Sequence, residues 1–104
     1  MKLRELAHSR TGNRGDTSNI SLIAFDAGDY PLLRDQVTAA RVKAHFGDIV
    51  AGEVIRYELE TIGALDFVLH RALGGGVTRS LALDAHGKSL SSALLDLEIE
   101  ADKD

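Results

Sequence analysis

Between His8 and Asn19 the chain reads His-Ser-Arg-Thr-Gly-Asn-Arg-Gly-Asp-Thr-Ser-Asn, a run dense in groups that hold or move charge. Gly12 and Gly15 permit positive φ and close backbone approach. Asp16, Thr17 and Asn19 can fold their side chains onto nearby amides. A loop of this composition turns several N–H groups toward one point, a concavity suited to an anion. Arg10 and Arg14 would add bidentate donors for a carboxylate or phosphate. The same residues also suit a plain hairpin connection with solvated arginines. A second cluster, Gly74-Gly75-Gly76, is followed by Val-Thr-Arg-Ser. Three glycines in a row cost backbone entropy without bringing packing. They suit either a hinge or a place where backbone approaches something closely. Arg79, Ser80 and Lys88 supply donors nearby. The recurrence of glycine and arginine leads us to expect both stretches at one end of the domain, forming one site.

Catalytic groups are sparser. His8 and Asp16 flank the first stretch and would meet across a loop mouth as a general-base pair does. Histidines 8, 45, 70 and 86 have no partner histidine at helical or strand spacing, so no metal site is indicated. The absence of cysteine excludes disulfides, thiolate metal sites and cysteine nucleophiles. Gly12-Asn13-Arg14-Gly15 stands before a strand-like run, whereas nucleotide-binding glycine motifs follow a strand and open a helix. No serine has a nucleophile-elbow context, and no cofactor is implied.

The 104 residues suit a single domain, and the net charge of −4 argues against general affinity for nucleic acid or anionic membranes. Five aromatic residues leave little for base stacking. No apolar run spans a bilayer and the N-terminus lacks a signal-peptide core, so we expect a cytoplasmic protein.

These residues need elements to hold them. Lys2 to His8 reads as a short first strand leading into the loop. Residues 19 to 26 carry apolar residues on both faces, as a covered central strand does. Residues 26 to 31 read as a turn around Gly28 and the single proline. Thr38 is placed to cap a helix, with Val37 and Val42 as a hydrophobic staple. Ala39, Val42 and Phe46 form its buried stripe, and Gly47 its stop. Val37, Ala40 and Ala44 make a second, weaker stripe available to another surface, and His45 falls on the solvated side. From Gly52 a strand should bury Ile55, Tyr57 and Leu59 and wet Arg56, Glu58 and Glu60. Residues 64 to 73 fit both periods; we read them as a helix, with a strand as the alternative. Residues 79 to 84 read as a strand, and Leu90, Ala93, Leu94 and Leu97 have helical spacing before a short closing strand. The result is an α+β domain with a mostly antiparallel sheet and helices packed against it.

Arg10 to Asn19, Ala44-His-Phe-Gly47, Leu73 to Gly76, Arg79-Ser-Leu81, Asp84, Gly87-Lys88 and Ala93-Leu-Leu95 resemble the small domain of the acyclic terpene utilisation AtuA family. The resemblance covers nearly the whole chain. It implies a ferredoxin-like two-layer fold with helices on one face, whose βαββαβ order would want a strand near 65 to 70. It also implies a domain that occurs either inside a larger AtuA-like protein or as a small protein encoded beside one. The context is catabolism of acyclic terpenes and branched acids through thioester intermediates. Two functions follow. The first is an accessory subunit that supplies an anion-binding or docking surface, with a larger AtuA-like subunit and/or a second copy as partner. The alternative is a free-standing hydratase or isomerase acting on a carboxylate or acyl thioester.

Overall fold

The structure, a computed structural model, describes residues 1–14, 17–72 and 90–100. Two antiparallel hairpins make its sheet. Strands β1 (Ala7–Arg14) and β2 (Thr17–Ala24) pair from Ala7 opposite Ala24 to Arg14 opposite Thr17. Strands β3 (Val54–Leu59) and β4 (Ala64–Leu69) pair in the same antiparallel sense. β4 also pairs with β2, giving the order β1-β2-β4-β3. β2 and β3 therefore run parallel with β4 between them, the split βαβ arrangement of ferredoxin-like folds. Helices α1 (Tyr30–Gln36) and α2 (Ala39–Phe46) make that crossover, and α3 (Leu90–Leu94) follows later.

The chain enters this fold at the strand that closes a βαββαβ order, so β1 takes the edge position beside β2. Its two ends meet where such a chain would be continuous. Lys2 bridges Glu98, Leu3 N–H donates to the Leu97 carbonyl at 2.9 Å, and Ile99 N–H to that of Met1 at 2.7 Å. The closing strand is thus a single bridge.

Several elements differ from expectation. Leu3–Glu5 is a 3-10 turn, and the first strand begins only at Ala7. The stretch around Gly12 is not a loop but the paired arms of a hairpin, with only Gly15 and Asp16 between them. Residues 64–69 form a strand, not a helix, because pairing on both sides overrides the helical spacing of Leu65, Val68 and Leu69. A helix follows the turn at Gly28, with Pro31 in its first turn, where its missing N–H has no partner to lose. The expected strand at 79–84 lies outside the described residues.

α2 forms as its local signals dictate. Thr38 Oγ1 accepts from Arg41 N–H at 3.1 Å, and Val42 and Phe46 are buried. Gly47 ends the helix at φ +57°. Val37 is fully buried in the core, so the second stripe reduces to the exposed Ala40 and Ala44. His45 is exposed, with Nε2 2.8 Å from the Ala93 carbonyl, tying α2 to α3.

One core fills the space between helices and sheet. Ile20, Leu22, Leu65, Phe67 and Leu69 project from the strands to meet Leu33, Val37, Val42 and Leu94. Ser9 and Thr11, also on this side of β1, hold α3 in place. Ser9 Oγ donates to the Ser91 carbonyl and Thr11 Oγ1 accepts from Ser91 N–H.

Tyr30 is buried here with its hydroxyl unpartnered among the described residues. Burial, and then the nearby Glu58 and Glu60 carboxylates, push its phenol above the ordinary range. An unpaired buried hydroxyl costs about 1–3 kcal/mol. Tyr30→Phe should therefore raise stability by about 1 kcal/mol in denaturant titration. The sign with pH follows from the raised value. Stability is retained below about pH 10, where the unfolded phenol is neutral, and falls above it as the unfolded chain ionises first. Tyr30→Phe should flatten that alkaline decline; a substitution that destabilises by more than 1 kcal/mol would contradict the orphaned hydroxyl.

Candidate functional site

The helices cover one side of the sheet, and the register places three rows of residues on the other. His8, Ile23, Ala64 and Leu59 stand side by side across the four strands. Arg10, Ser21, Asp66 and Tyr57 form the next row, and Gly12, Asn19, Val68 and Ile55 the third.

Asp66 is the centre of this face. Ser21 Oγ and Asn19 Nδ2 both donate to its Oδ1, each at 3.1 Å. Its second oxygen makes no hydrogen bond among the described residues. Half-buried and so anchored, the carboxylate is a fixed acceptor for a donor approaching from outside the sheet. Gly12 serves the same cluster. A Cβ there would stand 2.7 Å from Asn19 Oδ1, so the missing side chain makes room for the amide that reaches Asp66.

Arg10 lies in the same row as Asp66 but two strands away, about 10 Å by strand spacing. It is exposed, and its guanidinium makes no ion pair or hydrogen bond among the described residues. His8 stacks on Phe25 with ring centroids 5.6 Å apart. No histidine stands between Ser21 and Asp66, so they are no nucleophile–base–acid relay.

The sequence reading gives β3 the wrong facing. Val54 enters the core, which sends Ile55, Tyr57 and Leu59 to the open face and Arg56 and Glu58 to the helix side. The cause is Arg56, whose Nη1 donates to the carbonyls of Arg34 and Val37 at 2.6 and 3.0 Å. Those carbonyls end α1 and have no helical donor. Glu58 pairs with the same guanidinium at 2.8 Å.

This facing exposes two large apolar side chains of β3, and two more stand nearby. Tyr57 (51%) and Leu59 (41%) stand on the open face with Phe25 (63%) beside His8. Ile62 (65%) lies in the β3–β4 connection, which meets β2 where Ala24 N–H donates to the Gly63 carbonyl. These are four of the five large apolar side chains exposed among the described residues.

The expected anion site is only partly in view. Thr17 and Asn19 lie on β2, and Arg10 and Gly12 on β1. Arg10 and Arg14 are four residues apart on an extended strand, about 13 Å between Cα atoms, so they are not two prongs of one turn. His8 stands about 20 Å along β1 from Arg14. Gly15, Asp16, Gly74, Gly75, Gly76, Arg79, Ser80 and Lys88 lie outside the described residues, and with them the pairings of His8 with Asp16 and of Gly15 with Gly75. Ser18 opposite Leu69 puts the end of β4 beside the β1–β2 connection, so the chain runs on to Ala72 from that end. His70 continues the β3 pairing, its N–H donating to the Glu53 carbonyl at 2.9 Å.

Other features carry less chemistry. A shallow groove between α2 and β3 is lined by Ala39, Ala40, Ala44, Val54, Lys43 and Glu53. Lys43 is committed to the Val50 and Gly52 carbonyls at 2.8 and 2.7 Å. No cluster of three metal-ligating side chains and no helix able to cross a membrane occurs among the described residues.

A four-stranded antiparallel sheet, covered by helices on one side and carrying an anchored carboxylate and an apolar rim on the other, defines a small ferredoxin-like α+β domain. The chain belongs to the AtuA ferredoxin-like domain family, whose model matches residues 1–100. Comparisons with curated proteins and with solved structures return no match.

Proposed function

We propose that this domain is an accessory assembly module of an AtuA-like enzyme system acting on branched or terpenoid acids, and that it assembles through the open face of its sheet. The observation that carries this reading is the facing of β3. A strand whose apolar residues point to water leaves a patch that a monomer has no use for. Asp66, held on one oxygen and open on the other, gives that face a polar register point of the kind that fixes docking geometry. The family's placement of this domain in or beside larger AtuA-like proteins supports the same reading.

The far end of the hairpin has a second role in the proposal. Arg14, Gly15, Gly74–Gly76, Arg79, Ser80 and Lys88 are the residues to which we assign binding of the substrate's carboxylate or thioester. The exit of β4 beside the β1–β2 connection supports this. Arg10, farther down β1, belongs with the open face.

Co-expression with a larger AtuA-like protein tests assembly. The wild-type chain should co-elute with it on size exclusion, and Tyr57→Glu should lower the assembled fraction at least tenfold while the domain stays folded. Co-elution unaffected by Tyr57→Glu would refute the open face as the surface on which joining a larger AtuA-like protein depends.

A further inference from the structure

Taking the open face as an assembly surface, we propose that its occupant is a second copy of this chain, packed face to face about a two-fold axis parallel to the strands. The face is self-complementary in register. An axis over the midline between β2 and β4 lays β1 of one copy over β3 of the other, and β2 over β4, with the slight rotation that sheet twist imposes. Every contact then occurs twice, as an isologous interface requires.

The rows match in charge and in size. Arg10 of one copy comes over Tyr57 of the other, with that copy's Asp66 one strand further in. A guanidinium on its extended stem stacks on the ring and donates to the carboxylate oxygen that Ser21 and Asn19 leave open. Gly12 comes over Ile55, so the row without a side chain on β1 faces the row with a bulky one on β3. Within one copy Arg10 and Asp66 share a row but make no ion pair with each other. Across the axis they pair twice, which gives each the ionic partner it lacks among the described residues of its own sheet.

The size of the face sets the strength. Four strands at about 4.8 Å spacing and about 20 Å of strand length give about 400 Å² in projection per copy. Two such faces give about 800 Å² in projection, under the roughly 1,000 Å² that a stable specific interface clears, so the dimer is a weak one with a Kd in the micromolar range.

Sedimentation velocity of the full chain across about 1–500 μM reads this directly, with Kd in the micromolar range expected. Arg10→Asp and Asp66→Arg should each weaken dimerisation at least tenfold, and the double exchange should bring it back to within about threefold of wild type. The Arg10 side chain makes no hydrogen bond or ion pair among the described residues, so Arg10→Asp tests the contact even where Asp66→Arg fails to fold, and Tyr57→Glu gives a second single-site check. A dimer indifferent to Arg10→Asp and Tyr57→Glu would overturn the proposal. So would a chain that stays monomeric throughout, and if its co-elution with a larger AtuA-like protein still depended on Tyr57, the assembly-module reading would stand without the second copy.

Discussion

Gly52→Ala should destabilise the domain by about 3 kcal/mol, the sum of an overpacking cost and the hydrogen bonds it breaks. A Cβ at residue 52 would stand 2.5 Å from the His70 carbonyl oxygen and 2.9 Å from that residue's Cβ. Backbone cannot swing aside as a side-chain tip can. The end of the β3–β4 hairpin would have to open, loosening Gly52 N–H to the His70 carbonyl at 2.9 Å and Ala51 N–H to that of Arg71 at 3.2 Å. For a domain of this size the loss is about 12–20 °C in Tm. Gly12→Ala is the control. It meets only the Asn19 amide, which can turn away, so stability should change by less than about 1 kcal/mol. Thermal unfolding of both variants decides it, and equal Tm values would contradict the close approach.

Arg56→Ala should cost about 2–3 kcal/mol, the range for charge-assisted hydrogen bonds to partly buried acceptors. The guanidinium satisfies two carbonyls at the end of α1 and draws Glu58 beside it. Arg56→Lys should recover little, since one ammonium does not reproduce the planar fork that spans both oxygens. Chemical denaturation gives the numbers. A loss below about 0.5 kcal/mol for Arg56→Ala would mean that water replaces the cap at no cost.

Those two residues also show where sequence reasoning stops. The start of α2 was legible because its signals are local: a Thr cap, a staple of Val37 and Val42, and a stripe of period 3.6. The facing of β3 was not, because alternation shows that two faces differ without showing which one meets the core. Arg56 decides it through carbonyls about twenty residues earlier in the chain. Residues 64–69 satisfy both periods, and only strands on either side choose between them. The α+β class survives these errors because it rests on the mixture of strands and helices, and the AtuA-like resemblance because it rests on the motifs themselves, within a family match over residues 1–100.

The candidate site was legible in part. Arg10, Gly12 and Asn19 stood out by type, but the loop reading hid their partner. Asp66 lies 47 residues from Asn19 in a segment read as a helix. Gly12 signalled close approach, as expected, though to a neighbouring amide rather than to a ligand. Gly52, a lone glycine before a strand, gave no hint that a carbonyl crosses it.

The claim at the centre of this account is that the open sheet face is covered in the working protein. The chain contains no cysteine, so a single introduced thiol reports on one place. Leu59→Cys marks the open face, and Ala44→Cys marks the outer side of α2. Each thiol's alkylation rate should be measured in fresh lysate at native concentration and again in the purified chain diluted to nanomolar. The account predicts that Cys at 59 reacts at least tenfold more slowly in lysate than when diluted, while Cys at 44 reacts equally in both. Equal rates at position 59 under the two conditions would contradict it.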